Sequence, residues 1–260
     1  MNIDLKDKRA LVTGANSGIG REIALALGRN GASVVVNYIT HPEDAEQVVA
    51  DIKESGADAL AIQADVSDPE SVSAMFEQME RKWGGIDLLV NNAGIDGTRA
   101  MGWEIDPGDF AKVIQVNLLG AFHCAREALQ RMTKAGAGVI LNLTSVHEEI
   151  PWSGYAAYAA SKAALSMLTK TLSQEAAPHG VRVLALAPGA VKTPINKSVW
   201  SDPASYKDLL TKIPLGRMAE AREIEEMAVL LLSSASGYVT GTTVFVDGGM
   251  TDFPSFEHGG

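Results

Sequence analysis

Cysteine is nearly absent from this 260-residue chain, which holds Cys124 alone. A single thiol cannot close an internal disulfide, and its place in an apolar helical stretch makes it a small core residue. Cations are in short supply too: 22 Lys and Arg stand against 32 Asp and Glu, a formal charge of −10. That excess of acid argues against nucleic acid or an anionic membrane as the main partner. No run of 18 or more apolar residues occurs, so no membrane-spanning helix is expected. The segment Met1 to Arg9 carries acids and no apolar run, which predicts no signal peptide and a cytoplasmic location. The histidines, numbering 5, fall with Cys and the carboxylates into no metal-ligand spacing, and no metal is expected.

What is present is apolar sequence in short, regularly spaced runs, 46% of the chain in all. Strands are predicted at 9–13, 33–38, 59–63, 87–91, 139–143, 182–187 and 244–246. Helices are predicted between them at 18–29, 43–55, 69–83, 107–134, 155–177 and 223–232. Regular alternation of this kind implies an α/β chain of Rossmann type, a doubly wound, seven-stranded parallel sheet flanked by helices on both faces. The length suits one domain spanning 1–260, and no linker or repeat divides it. The stretch 190–214 departs from the pattern, with three prolines, Trp200 and Tyr206. Beyond a strand's C-terminal end, it reads equally as a substrate lid or as a packed helical excursion.

Two local patterns carry chemistry. Arg9 to Thr13 runs into Gly14-Ala-Asn-Ser-Gly18-Ile-Gly20 and then an apolar-periodic helix. Strand, glycine turn and helix N-terminus together cradle a pyrophosphate, because backbone N–H groups face it and side chains would block it. A bare turn between strand and helix is the alternative. Further along, Tyr158 and Lys162 lie four residues apart, with Ser145 thirteen residues upstream. On a helix that spacing stacks the two side chains on one face. A free phenol ionises near ~10. An ammonium about 4 Å away at an effective dielectric of about 20 contributes ~4 kcal/mol. At ~1.36 kcal/mol per unit this predicts a phenol drawn towards ~7, fit to exchange a proton with an alcohol or carbonyl. Tyr-x-x-x-Lys pairs are also common on solvated helix faces.

These motifs, with Asp65-Val66, Asn91-Asn92-Ala93-Gly94, Asn117 and Pro188-Gly189, occur in the order of the short-chain dehydrogenase/reductases, which the whole chain resembles. The resemblance implies Tyr158 as general acid/base, Lys162 as its cationic neighbour, Ser145 as the holder of the reacting oxygen, and Asn117 as anchor of a water linking Lys162 to solvent. It also implies an NAD(P) cofactor held by Gly14, Ser17, Gly18, Ile19, Gly20, Asp65, Val66, Asn91, Ala93, Gly94, Pro188, Gly189, Val191 and Thr193, with Tyr158 and Lys162. Taken by themselves, Asp65 could be a helix cap and the Asn pair a turn. At the end of the second strand, Asn37-Tyr38-Ile39-Thr40-His41 has no acid to repel a 2′-phosphate and no Arg or Lys to bind one. Either cofactor is expected, with a lean to NADP through Asn37, Thr40 and His41.

Within the family the chain resembles the glucose 1-dehydrogenase branch, through Ser145 to Trp152, Pro188 to Asn196 and the tail from Tyr238 to Phe256. That likeness implies oxidation of a sugar hydroxyl, foremost the anomeric hydroxyl of β-D-glucose or a related aldose, to the lactone. Asp96, Ser145, His147 and Asn196 are the implied substrate contacts, although glucose dehydrogenases usually carry Glu where Asp96 stands and a lone loop histidine specifies little. An NADPH-dependent reductase of 3-oxoacyl thioesters or small ketones is the alternative of the same reaction type. A non-catalytic dinucleotide sensor is the alternative of another class. The partner is expected to be a small molecule, and the assembly a homotetramer formed through the helices near 110–134 and 156–177 and the C-terminal strand.

Overall fold

The computed structural model describes residues 3–193 and 197–252. In chain order it forms β1 (Arg9–Val12), α1 (Gly18–Arg29), β2 (Ser33–Tyr38), α2 (Pro42–Glu54), β3 (Ala59–Gln63), α3 (Pro69–Trp83) and β4 (Leu88–Asn91). There follow α4 (Pro107–Ile114), a π-helical stretch (Gln115–Gly120), α5 (Ala121–Ala135), β5 (Gly138–Leu143), a 3₁₀ turn (Val146–Glu148), α6 (Ala156–Ala176) and β6 (Val181–Pro188). The last part holds β7 (Val191–Lys192), α7 (Lys197–Ser201), α8 (Pro203–Leu210), β8 (Ala219–Glu220), α9 (Ala221–Leu232) and β9 (Thr243–Val246).

Seven strands form one parallel sheet in the order β3-β2-β1-β4-β5-β6-β9. Alternate residues of each strand enter opposite cores. Ala10 and Val12 pack with Ile23, Leu27, Val48, Ile52 and Ile224, under α1, α2 and α9. Leu11 packs with Phe76, Met79, Cys124, Met132 and Leu172, under α3, α5 and α6. Burial on both faces explains why the strands read as apolar runs rather than as alternating patterns. Cys124 is fully buried in the second core, where burial pushes its thiol up to about 12.

Helix starts follow local chemistry. The Asp68 carboxylate caps α3 by accepting from Glu70 and Ser71 N–H, and Asp106 caps α4 by accepting from Asp109 N–H. Proline at the first helical position supports both starts, because its missing N–H has no partner there anyway. One expectation needs refinement. The helix predicted at 107–134 runs through without a break, but its winding is not uniform, being π-helical at Gln115–Gly120. Hydrophobic periodicity cannot see the insertion, since one wider turn leaves apolar positions on the same face. In 190–214 the structure adds what the prolines obscured: α7, α8 and a two-stranded pairing of β7 with β8.

Candidate active site

The chain order reverses between β1 and β4, the neighbours at the middle of the sheet. Crossovers from these strands leave in opposite directions, so a crevice opens at their C-terminal ends. A cavity of about 620 Å³ fills it, lined by Gly14, Ser17, Gly18, Ile19, Asp65, Val66, Ala93, Gly94 and Thr193, among others. A second cavity, of about 360 Å³, adjoins it and shares Ile19, Asn92, Gly94 and Thr193. Its walls include Asp96, Ser145, His147, Tyr158, Lys162, Pro188, Gly189 and Val191.

The glycine turn is built for close approach. Gly14 and Gly18 have φ of +59° and +55°, and a Cβ on Gly18 would meet nothing within 4 Å, so the turn faces open space. Such a cradle fits a dinucleotide pyrophosphate. Gly20 differs from its expected role. A Cβ there would lie 2.3 Å from Asn92 Nδ2 and 2.4 Å from the Gly14 carbonyl oxygen, so this glycine permits helix–strand packing rather than lining the cavity. Asn92 lines both cavities, and its amide donates to the carbonyls of Thr13 and Gly14 and fixes the turn.

Two other asparagines face inward. Asn91 is buried, donating to Ala121 O and Asn142 Oδ1, while Asn142 donates to Thr169 Oγ1; this links β4, β5, α5 and α6 rather than meeting a ribose. Asn37 accepts from Gly14 N–H and donates towards the carbonyls of Tyr38, Ile62 and Ala64. Its amide holds β2, β3 and the glycine turn together, and Asn37 also lines the crevice. Asp65 accepts from the N–H and hydroxyl of Ser67, so it stiffens the turn and lines the cavity at once. Ile39, Ser17 and Lys112 are exposed on that wall.

At the reactive end, β5 leads into the 3₁₀ turn carrying Ser145, and α6 presents Tyr158 and Lys162 one turn apart. Ser145 accepts from His147 N–H and stands close enough to the Tyr158 phenol to favour its ionised form. Lys162 Nζ donates to Leu143 O at 2.8 Å and lies 5.6 Å from the centre of the Tyr158 ring. The ionisation expected from the Tyr–Lys spacing is overturned here. Burial pushes the phenol up to about 12, against the influence of Ser145, and Asp96 pushes in the same direction as burial. Burial also lowers Lys162 to about 8, against the pull of Asp96 and Glu148. An effective dielectric of about 20 leaves out the cost of enclosing each group, and that desolvation dominates for both here.

The π-helical stretch positions Asn117. Its Oδ1 accepts from Ile95 N–H, and its Nδ2 donates to Ile95 O and Ser161 Oγ. These bonds occupy both amide hydrogens and clamp the loop carrying Gly94 and Asp96 beside Lys162. Such one-turn insertions recur at functional sites because they re-aim a side chain out of helical register. Asp96 sits exposed in the mouth of the cleft, yet its surroundings raise its carboxyl through desolvation, opposed by Lys162 and His147. His147 Nδ1 lies 3.0 Å from Ile150 O, which makes Nδ1 the protonated nitrogen and leaves Nε2 as an acceptor. Its pKa is lowered by burial, so the ring is neutral.

Trp152 completes the wall. It stacks on His147 at 4.4 Å and on Tyr155 at 4.0 Å, and meets Tyr158 edge-on. Asn196, expected at the substrate, lies outside the described residues.

The architecture and the ordered motifs agree with comparison to known proteins. A family model described as enoyl-(acyl carrier protein) reductase matches residues 14–251. The chain belongs to the short-chain dehydrogenase/reductases. This member is 44% identical to 3beta-hydroxysteroid dehydrogenase 1 of Eggerthella lenta, over 98% of each chain. It is 40% identical to glucose 1-dehydrogenase 2 of Bacillus subtilis, over 97% of this chain and 98% of that one. Among solved structures, a gluconate 5-dehydrogenase from Burkholderia cenocepacia in complex with NADP and tartrate superposes with a TM-score of 0.91 at 36% identity. That match covers 96% of this short-chain dehydrogenase/reductase and 98% of the other chain.

Proposed function

We propose that this oxidoreductase couples NAD(P) to the interconversion of a ring hydroxyl and its carbonyl, with Ser145, Tyr158 and Lys162 as the proton-handling group. The carrying observation is their convergence in one cavity that opens into the glycine-cradled crevice. Bound nicotinamide supplies hydride exchange. The chain's own part is the proton: Tyr158 delivers it to, or takes it from, the substrate oxygen; Ser145 orients that oxygen; Lys162 supplies positive charge beside it. Asn117 holds Lys162's surroundings in place. Gly14, Ser17, Gly18, Ile19, Asp65, Val66, Ala93 and Gly94 would hold the dinucleotide, with Pro188, Gly189, Val191 and Thr193 around its nicotinamide end. The acid-free end of β2 supports acceptance of both cofactors, and the NADP-bound gluconate 5-dehydrogenase is in line with that. The segment 190–214 would cover the cleft as part of the same catalytic domain, a reading supported by Val199 and Leu209 on the cavity wall.

For substrate we propose an aldose, oxidised at its anomeric hydroxyl to the lactone. Asp96 and His147 Nε2 beside Ser145 support it, as does the glucose 1-dehydrogenase among the relatives. One observation favours a second reading. Leu143, Val146, Val191, Val199, Leu209 and Met250 make much of the wall apolar, and Trp152 adds an indole stacked with His147 and Tyr155. That wall suits an apolar cyclic alcohol or ketone, the chemistry in the name of the Eggerthella lenta relative. Absorbance at 340 nm decides, followed with NAD or NADP against aldoses and 3-hydroxysteroids and with NADH or NADPH against acetoacetyl thioesters. Turnover of glucose supports the first reading, turnover of steroids alone the second, and turnover of thioesters alone neither. Tyr158→Phe should cost roughly 10²–10⁴-fold in rate while cofactor binding persists; unchanged turnover would remove Tyr158 from its role.

A further inference from the structure

Glu148 lies three residues beyond Ser145 in the same 3₁₀ turn, its N–H bonded to the Ser145 carbonyl. Its Oε1 accepts two hydroxyls, from Ser166 at 2.8 Å and Thr243 at 2.9 Å. Its Oε2 is buried and has no partner among the described residues. Ser166 stands one helical turn after Lys162 on α6, so the bond that seats the carboxylate places it over the helix face that carries the ammonium. One side chain thus ties together the turn holding Ser145, the helix holding Tyr158 and Lys162, and the edge strand β9.

A neutral amide could accept the same two hydroxyls. Keeping a carboxylate here means burying charge, which persists only where donors and a cation stabilise it. The hydroxyls are the donors, and Lys162 is the cation whose ionised form Glu148 favours. Asp96 faces Lys162 from the loop after β4, while His147 and Tyr158 complete the titratable groups around it.

We infer that Glu148 is a positioning residue that holds the Ser145 turn against α6 and, through its buried negative charge, keeps Lys162 protonated. This rests on the reading of Ser145 and Lys162 as site residues, and its test needs no turnover. Lysine labelled with ¹³C at Cε, with Lys162→Met to assign the signal, reports the Lys162 titration directly. Glu148→Gln keeps the acceptor and removes the charge, so the midpoint should fall by at least about half a unit. Glu148→Asp should restore it at least in part. Should Glu148→Gln fail to fold, Glu148→Met removes the same charge, and the Lys162 midpoint should again fall. A midpoint unmoved in whichever charge-removing variant folds overturns the inference. Absence of activity on every substrate would count against the proposed function and leave this titration intact.

Discussion

Burial sets the ionisation of the two reactive residues, with a consequence for rate. Lys162 titrates at about 8 and Tyr158 at about 12, so at neutral pH the phenol keeps its proton beside a charged lysine. That state is ready to give a proton to a carbonyl. In the reductive direction kcat/KM should therefore hold below pH 8 and decline above it, as Lys162 loses its charge while Tyr158 remains protonated. A pH–rate profile flat from 7 to 10 would remove Lys162's charge from the chemistry. At the other end of the crevice, Ile39 stands where an acid or base would select the ribose. Ile39→Asp should move preference towards NAD by ~10-fold or more, since a carboxylate accepts from the 2′-hydroxyl and repels a 2′-phosphate. Paired kcat/KM measurements with the two cofactors check it.

Among elements, the sheet's centre is tied at the entry of its two middle strands. Arg9 and Asp87 pair there through Nε–Oδ2 at 2.7 Å and Nη2–Oδ1 at 3.1 Å. Burial opposes the Asp87 carboxylate, but the bonds and charge of Arg9 outweigh it and hold its pKa below the usual range. A group depressed in this way stabilises the fold above its unfolded pKa, and that stability is lost as pH falls through the folded one. Asp87→Asn should cost about 1–2 kcal/mol at pH 7, modest because both side chains are partly exposed. In urea titrations the gap from wild type should close as the pH drops below ~4. The strands and most helices were legible because buried parallel strands and helix caps leave local signatures; Ser33–Tyr38 and Pro69–Trp83 appear in the structure as predicted. The π-helical turn, the inward aim of Asn37 and Asn91, and the packing role of Gly20 were not. Each depends on which neighbour a side chain meets across the sheet, and spacing along the chain does not carry that.

For the whole molecule, exposed Leu119, Phe122 and Met167 lie along the π-helical stretch, α5 and α6. They support the proposed homotetramer, since large apolar side chains clustered on a helical layer favour cover by another copy. Light scattering after gel filtration should give four copies, and Met167→Glu should shift the mass downward; a monomeric wild type would end that proposal. No helix among the described residues is long and apolar enough to cross a membrane. The widened turn at Gln115–Gly120 bears on how this chain can be edited. Excising one residue there, such as Leu118, would restore uniform α-helical winding and leave Val113 and Cys124 facing their cores, because the wider turn absorbs the extra residue. Asn117 would then swing away from Ile95, and the loop with Gly94 and Asp96 would lose its clamp while the hydrophobic layers stayed filled. Such a deletant should melt near the parent temperature yet bind nicotinamide nucleotide poorly, separating folding competence from ligand competence by the loss of a single peptide unit.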